Sequence, residues 1–433
     1  MESPHKNYET LKSLRTKIAK LMLDMKVDSY TCVLKIVGKE KLYTSNLSKI
    51  SLEENETTSG VFQIFYNKKR YILKVTNFDD LQEQIQQIPA STSLMAPSEY
   101  YEEKSLYHTS IDYRANNFIL PIEKLSTMMD TLFEIVKSYQ LIDETMILIN
   151  SFCDHLIFNS AGYENYRYTS AAFFDACLLS SDNDSKYTSY YGTPLSVNTD
   201  YKLCIQNMAE DMQKFKEKTI IPIGKYPVIF HREVAASLVD MIISALEGSA
   251  IWDKQSFLIN KLGEQIFANN INIIEDPQMK DSIYNSPADM EGVAIEKKHI
   301  IENGFIKTLL LNREYGTKLN SPSTGNGWDF SIGYTNIFLQ PEDHSLKDLI
   351  KIMHTGILVM QTIGDGFHVY NGEISICIKG FYYEDNIFKG TVTGTLSGNL
   401  VDIMQEVSIG NDLFFKYSLS SPSILVAPMT FAN

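Results

Sequence analysis

Residues 276–327 read DPQMKDSIYNSPADMEGVAIEKKHIIENGFIKTLLLNREYGTKLNSPSTGNG. Around Asn303-Gly304 the apolar residues alternate as they do in strands, and Asn-Gly between two such runs is the strongest short-range hairpin signal a sequence carries. Acids and glycines stand at the turn positions, in DMEG at 289–292 and STGN at 323–326. A hairpin alone does not need Ser323, Thr324, Gly325 and Asn326 in that order, whereas a backbone that approaches a ligand closely has use for them. Asp289, Glu291 and Gly292 with Ser323, Thr324, Gly325 and Asn326 are therefore the candidate substrate-binding residues. The loop is expected to offer backbone N–H groups to an extended peptide, which many proteins hold as an added strand. Turn chemistry alone also accounts for Asp276-Pro277 and for a glycine in a tight loop.

Working outward, the second half is β-rich. Asn371-Gly372 and Asp385-Asn386 again split apolar alternations. Val228–Phe230 reads as a short strand and Arg232–Leu246 as a helix, with Val234, Leu238, Met241 and Ala245 as its buried stripe. Residues 345–362 fit a helix, or a helix followed by a strand.

The first half mixes helices with a sheet, an α/β or α+β unit. Leu11, Leu14, Ile18, Leu21 and Met25 recur at helical spacing, as do Leu125, Met128, Leu132 and Ile135, and then Ile205, Met208, Met212 and Phe215. Ser29–Val37 reads as a strand, 61–75 as a hairpin, and Asp79–Ile88 as a short helix stopped by Pro89. Met146–Ile149, Leu156–Phe158, Tyr166–Thr169 and Ala172–Leu178 read as four strands. Residues 89–118 carry no readable pattern. Pro222, Gly224 and Pro227 punctuate the chain after Lys214–Lys218, which places a boundary between 1–218, an α/β domain, and 219–433, a β-rich domain of antiparallel sheets. The fold class is α+β.

A length of 433 residues suits two domains. A formal net charge of −14 repels phosphate backbones, so nucleic acid is not an expected partner. Five cysteines without CxxC spacing point to a reducing compartment. No apolar run is long enough to span a membrane, and the polar start shows no secretory pattern. The expectation is a soluble cytoplasmic protein.

The residues PVIF at 227–230, EGS at 247–249, KLGEQIF at 261–267, EDP at 275–277, DMEG, IENG at 301–304, STGN, GD at 364–365 and GNDL at 410–413 resemble, in order and spacing, the TldD/PmbA family, once called modulators of DNA gyrase. FNSAGY at 158–163 extends the likeness into the first half. The resemblance implies an α/β domain followed by a β-rich one, in dimers that enclose a chamber. It also implies a metal held by a His-Glu-x-x-x-His helix and a distant cysteine in the TldD-type subunit, which cleaves unfolded peptides or leader peptides. The PmbA/TldE type lacks that motif and acts as its partner.

In register with EGS, the motif positions fall on Val239, Asp240 and Ser244. A valine has no lone pair to donate, and a neutral serine hydroxyl is a poor zinc ligand, whereas a catalytic zinc takes three protein donors. Asn411–Ser421 holds no cysteine. The expectation is that this chain carries no metal and no catalytic residue of its own, and that a zinc-like metal sits in a TldD-like partner. The alternatives are a non-enzymatic homodimer that binds peptide or protein, and a stand-alone peptidase with atypical ligands such as His231 and Glu233.

Overall fold

The computed structural model describes residues 4–45, 51–93, 95, 97–98, 111–114, 119–139, 143–181, 186–194, 200–279, 282, 284–364, 366–415 and 417–433. Asp365 and most of 89–118 lie outside them. The first half runs α1 (Pro4–Asp24), β1 (Ser29–Ser45), β2 (Ser51–Tyr66), β3 (Lys69–Val75), α2 (Leu81–Gln86), α3 (Ile88–Thr92) and β4 (Ile111–Arg114). It continues through α4 (Ile122–Lys137), β5 (Asp143–Asn159), β6 (Glu164–Ser181), β7 (Lys186–Pro194) and α5 (Tyr201–Lys216).

Its strands make one sheet in the order β3-β2-β1-β5-β6-β4, with β7 also on β6. Every pairing is antiparallel except β4 with β6. The α/β form expected for 1–218 gives way to α+β, because the strands are antiparallel in all but one pairing. Period-two alternation gives the sheet two unlike faces. Cys32, Leu34, Ile36, Leu156 and Phe158 point under α1, where they bury Leu11, Ile18 and Met22. Met146, Leu148, Phe174 and Leu178 continue that face under α4 and α5. The opposite face turns Lys35, Cys153, His155 and Arg167 toward the second half of the chain.

Two further expectations are amended here. The four short strands are two long ones, β5 and β6, paired continuously from Asp143 with Leu179 to Phe158 with Glu164. Polar Asn150 and Asp154 interrupt the apolar pattern of β5, yet both are buried. Asp154 accepts hydrogen bonds from Tyr166 Oη at 2.5 Å and Asn7 Nδ2 at 2.9 Å, and a satisfied polar group costs a strand little. The short helix ends at Gln86, before Pro89, but the proline begins another helix. It occupies the first turn of α3, where its missing N–H would have had no partner.

The second half runs β8 (Gly224–Phe230), α6 (Arg232–Ala245), α7 (Gly248–Trp252), β9 (Ile273–Glu275), β10 (Lys298–Glu302), β11 (Phe305–Ile306), α8 (Arg313–Lys318), β12 (Gly327–Trp328), β13 (Ser331–Ile332) and β14 (Ile337–Leu339). It ends with α9 (Leu346–Met353), β15 (Gly356–Ile363), β16 (Phe367–His368), β17 (Glu373–Glu384), β18 (Ile387–Asn399), α10 (Leu400–Ile403), β19 (Ser408–Ile409), β20 (Leu419–Ser420) and β21 (Ile424–Ala432). One sheet has the order β15-β8-β21-β18-β17-β16, with β19 on β21, and a second has β11-β10-β9-β14-β20. Asn303 (φ 51°) with Gly304 (φ 77°), and Asp385 (51°) with Asn386 (64°), form the two-residue turns their sequences call for. Ser345 opens α9 with a reciprocal cap to Asp348, and β15 follows, so 345–362 is a helix followed by a strand.

Helix α6 is the core of this half. Val234, Leu238, Met241 and Ala245 are buried as its spacing predicts, and Val239, Ile242 and Ile243 are buried with them. They pack with Val228 and Phe230 of one sheet and Ile273, Ile337 and Leu339 of the other. At about 1.5–3 kcal/mol for each large apolar side chain, this burial fixes the helix in place.

Candidate functional site: a cleft between the large sheet and the β12–β13 hairpin

The structure brings the two sequence-predicted loops together. Asp289 is buried and accepts from the backbone N–H groups of Glu291 (2.9 Å), Val293 (2.8 Å) and, across the junction, Gly327 (2.8 Å). Met290 N–H donates to Gly327 O at 2.8 Å, and Glu291 Oε2 accepts from Arg313 N–H at 2.8 Å. Burial pushes the Asp289 carboxyl up to about 6, against the three N–H donors, which favour its ionised form. Gly292 (φ 80°) and Gly325 (φ 76°) take left-handed conformations. A Cβ would lie 2.9 Å from the Tyr163 ring at the first and 2.9 Å from Ala294 O at the second, so both must be glycine.

Behind this junction lies a closed polar network. Glu275, fully buried, meets Lys298 Nζ at 2.7 Å and accepts from Asn326 Nδ2 (3.1 Å), Thr335 N–H (2.9 Å) and Thr335 Oγ1 (3.0 Å). Lys298 also donates to Thr324 O at 2.7 Å. Thr324 Oγ1 donates to Asn326 Oδ1 at 2.8 Å, and Ser323 Oγ to Leu311 O at 3.0 Å.

Part of the STGN loop is engaged in its own fold. Thr324 N–H donates to Leu311 O, Gly325 N–H to Ser323 Oγ, and Gly327 N–H to Asp289. The Thr324 and Gly325 N–H groups are thus taken within the fold, and that of Gly327 ties the loop to Asp289. The loop's work is to hold the β12–β13 hairpin that follows it.

That hairpin forms one wall of a cavity of about 340 Å³, whose other wall is the polar face of the large sheet. Lys35, Cys153, His155 and Arg167 come from the sheet, and Trp328, Asp329 and Tyr334 from the opposite side. Lys35 Nζ meets Asp329 Oδ2 at 2.6 Å. The Arg167 guanidinium sits 5.6 Å from the centre of the Trp328 ring and donates to Asn285 O at 3.1 Å. Cys153 Sγ lies 3.6 Å from each ring nitrogen of His155. Burial pushes the thiol up to about 12 and the imidazole down to about 3, so both are neutral near pH 7. The sequence offered no motif for these residues. Their only signal is the alternation that puts Lys35, Cys153, His155, Arg167 and Thr169 on the strand positions that do not face α1.

The cavity reaches helix α6 through Tyr334, whose hydroxyl lies 3.5 Å from Asp240 Oδ1. Val239 is buried in the core, Ser244 is half-buried, and Asp240 stands on the solvent side. The protein wall beside Asp240 displaces water and pushes its carboxyl above the ordinary range. Glu247 is pushed up in the same way, with a further contribution from Asp240. One carboxylate, one hydroxyl and an inward-facing valine do not make a zinc donor set. Among the described residues no three His, Cys, Asp or Glu side chains converge as ligands would.

His231 and Glu233 stand elsewhere. His231 caps α6, its Nδ1 accepting from Glu233 N–H at 3.5 Å, and burial pushes its imidazole down to about 4. Both line a separate cavity of about 640 Å³ between α5, α9 and β15, beside Met208, Phe215 and Phe381.

The fold is one that known proteins share. Residues 223–433 match the family model of the PmbA/TldA metallopeptidase C-terminal domain. Over those residues the chain carries a domain of the PmbA/TldD family. It is 29% identical to the metalloprotease PmbA of Escherichia coli over 284 residues, 63% of this chain and 60% of that protein. It is likewise 29% identical over 279 residues to a metalloprotease PmbA homolog of Buchnera aphidicola, again 60% of that protein. The matched region thus spans less than two thirds of these relatives' own length. The structure superposes on TldE from Thermococcus kodakarensis with a TM-score of 0.79 at 19% identity, covering 98% of this chain and 100% of that one. A Bacteroides thetaiotaomicron protein whose crystal structure is named for a modulator of DNA gyrase superposes at 0.85 and 18% identity, covering 98% of each chain. At these identities the structural likeness speaks for the fold alone. No described helix is long and apolar enough to cross a membrane.

Proposed function

We propose that this chain is the companion subunit of a cytoplasmic two-component metallopeptidase that cleaves unfolded or leader peptides, with a TldD-like partner supplying the metal. The reading rests above all on α6. At the three positions where the family's metal helix would carry His, Glu and His, this helix presents a buried valine, a solvent-side aspartate and a half-buried serine. The chain's contribution is a wall and a cavity: it holds peptide against the sheet while activated water comes from the partner. The relatives named metalloprotease PmbA and the structure named TldE support placing it on the PmbA/TldE side.

The purified chain is expected to show no peptidase activity and no stoichiometric transition metal. Co-expressed with a TldD-type subunit bearing His-Glu-x-x-x-His, it should elute as a complex that cleaves unstructured peptide in a chelator-sensitive way. Chelator-sensitive cleavage by the chain alone would overturn the reading. A stable homodimer that ignores the metal-bearing subunit would favour a non-enzymatic peptide- or protein-binding role.

A further inference from the structure

Lys35, His155 and Arg167 stand in one row across three neighbouring strands. Lys35 is paired with His155 across β1–β5, and His155 with Arg167 across β5–β6. Directly opposed residues of antiparallel strands lie about 5 Å apart with their side chains on one face. The row therefore sets a lysine and an arginine on either side of an imidazole, on the floor of the 340 Å³ cavity. The chain as a whole carries −14 charges, yet Asp329 is the only carboxylate lining this cavity among the described residues. Phe173, Tyr284, Trp328 and Tyr334 supply aromatic walls. The imidazole registers both basic neighbours: Lys35 and Arg167 help to depress it, after burial.

We propose that this cavity is a carboxylate-recognition pocket, which takes an acidic side chain or the C-terminal carboxylate of a bound peptide between Lys35 and Arg167, with Asp329 as the resident competitor. The inference rests on the peptide-holding reading above and names the substrate class of that site. Asp329 Oδ2, 2.6 Å from Lys35 Nζ, marks where an anion is accepted. The pair is 23% and 44% exposed, and ion pairs with such access to water hold weakly, so an incoming carboxylate displaces Asp329 readily. The turn that carries Asp329 is also unfavourable in itself. Asp329 (φ 44°) and Phe330 (φ 65°) both lie in the left-handed region, which a bulky aromatic seldom adopts. Neutral His155 adds a hydrogen-bond donor without a third charge. A space of this size holds a side chain or a chain end, not a folded partner.

The test is fluorescence anisotropy with four labelled unstructured decapeptides that differ only in a central Glu or Gln and in a free or amidated C-terminus. The expected result on the wild-type chain is binding about tenfold tighter for the carboxylate form than for its amide, as a charge-assisted contact gives. The Glu/Gln arm and the free/amidated arm separate side chain from chain end. Lys35→Met and Arg167→Gln should each bring that ratio close to one. Asp329→Asn should tighten acidic peptides severalfold and leave the Gln, amidated peptide unchanged. Equal binding of acid and amide forms would overturn the inference and leave peptide holding intact. Loosened binding of acidic peptides by Asp329→Asn would also overturn it. Binding of no peptide at all would remove both the inference and the reading beneath it.

Discussion

Tyr334 and Asp240 join the cavity to helix α6: the phenol hydroxyl lies 3.5 Å from the carboxylate Oδ1. Burial, and then Asp240 and Glu247, push the phenol above its ordinary range, so it stays protonated and donates. That donation favours the ionised carboxylate and opposes the upward shift of Asp240. Tyr334→Phe should therefore raise the Asp240 pKa further without unfolding the protein. Carbon-detected NMR titration of Asp240 in the two proteins reads this directly, and an unchanged or lowered value would show that the contact is not a hydrogen bond in solution.

Restoring the two histidines to α6 should fail as a repair. Val239 faces the core, so Val239→His buries an imidazole where no partner awaits it and overpacks the helix, at a cost of about 2–4 kcal/mol. Urea unfolding should show that loss. Elemental analysis of the double variant with Ser244→His should show no stoichiometric zinc.

The Glu275 network makes a second stability prediction. Lys298→Met leaves a fully buried carboxylate without its cation, and broken buried pairs of this kind cost about 3–5 kcal/mol. Asn326→Ala removes its bonds to Glu275, Gly333 O and Thr324, at about 2–3 kcal/mol. Because both variants weaken the same network, the double variant should cost less than the sum of the two.

Asp289 supplies the pH dependence. Its folded pKa, about 6, is above the ordinary 3.8, so the folded state favours the protonated acid. The corresponding stability is fully present below about pH 4 and is lost as the pH rises through 6, a change of up to about 3 kcal/mol. Asp289→Asn should flatten stability over that window, as measured by urea midpoints at half-unit intervals.

The cysteines should separate by exposure. Cys377 is exposed, Cys32 is buried, and burial holds the Cys153 thiol near 12. An aromatic disulfide reagent at pH 8 should modify Cys377 well before either of them. Cys377→Ser should remove that early reaction.

Much of the fold was legible because its signals are local. Helices α4, α5 and α6 announce themselves by apolar spacing, and Asn303-Gly304 and Asp385-Asn386 by the turns that only such pairs make easily. What misled were positions where tertiary contacts rescue an unfavourable residue. Asn150 and Asp154 look like breaks in a strand, but Tyr166 and other partners across the fold satisfy them. Ser323–Asn326 look like an offered binding edge, but Leu311, Lys298 and Glu275 already engage the Thr324 backbone and the Asn326 amide. The cavity floor was invisible for a related reason. Lys35, His155 and Arg167 lie far apart in the chain, and only the pairing of β1, β5 and β6 sets them in a row.

The long run of uninterrupted pairing from β2 through β1 and β5 to β6 carries a lesson about change over generations. A substitution on these ribbons alters one tooth of the comb, whereas losing a single residue midway along β5 would turn over every tooth beyond it. Grease would then meet the groove, and charge would meet α1. Descendants of this gene are free to rewrite the letters of these strands, but they must keep the count.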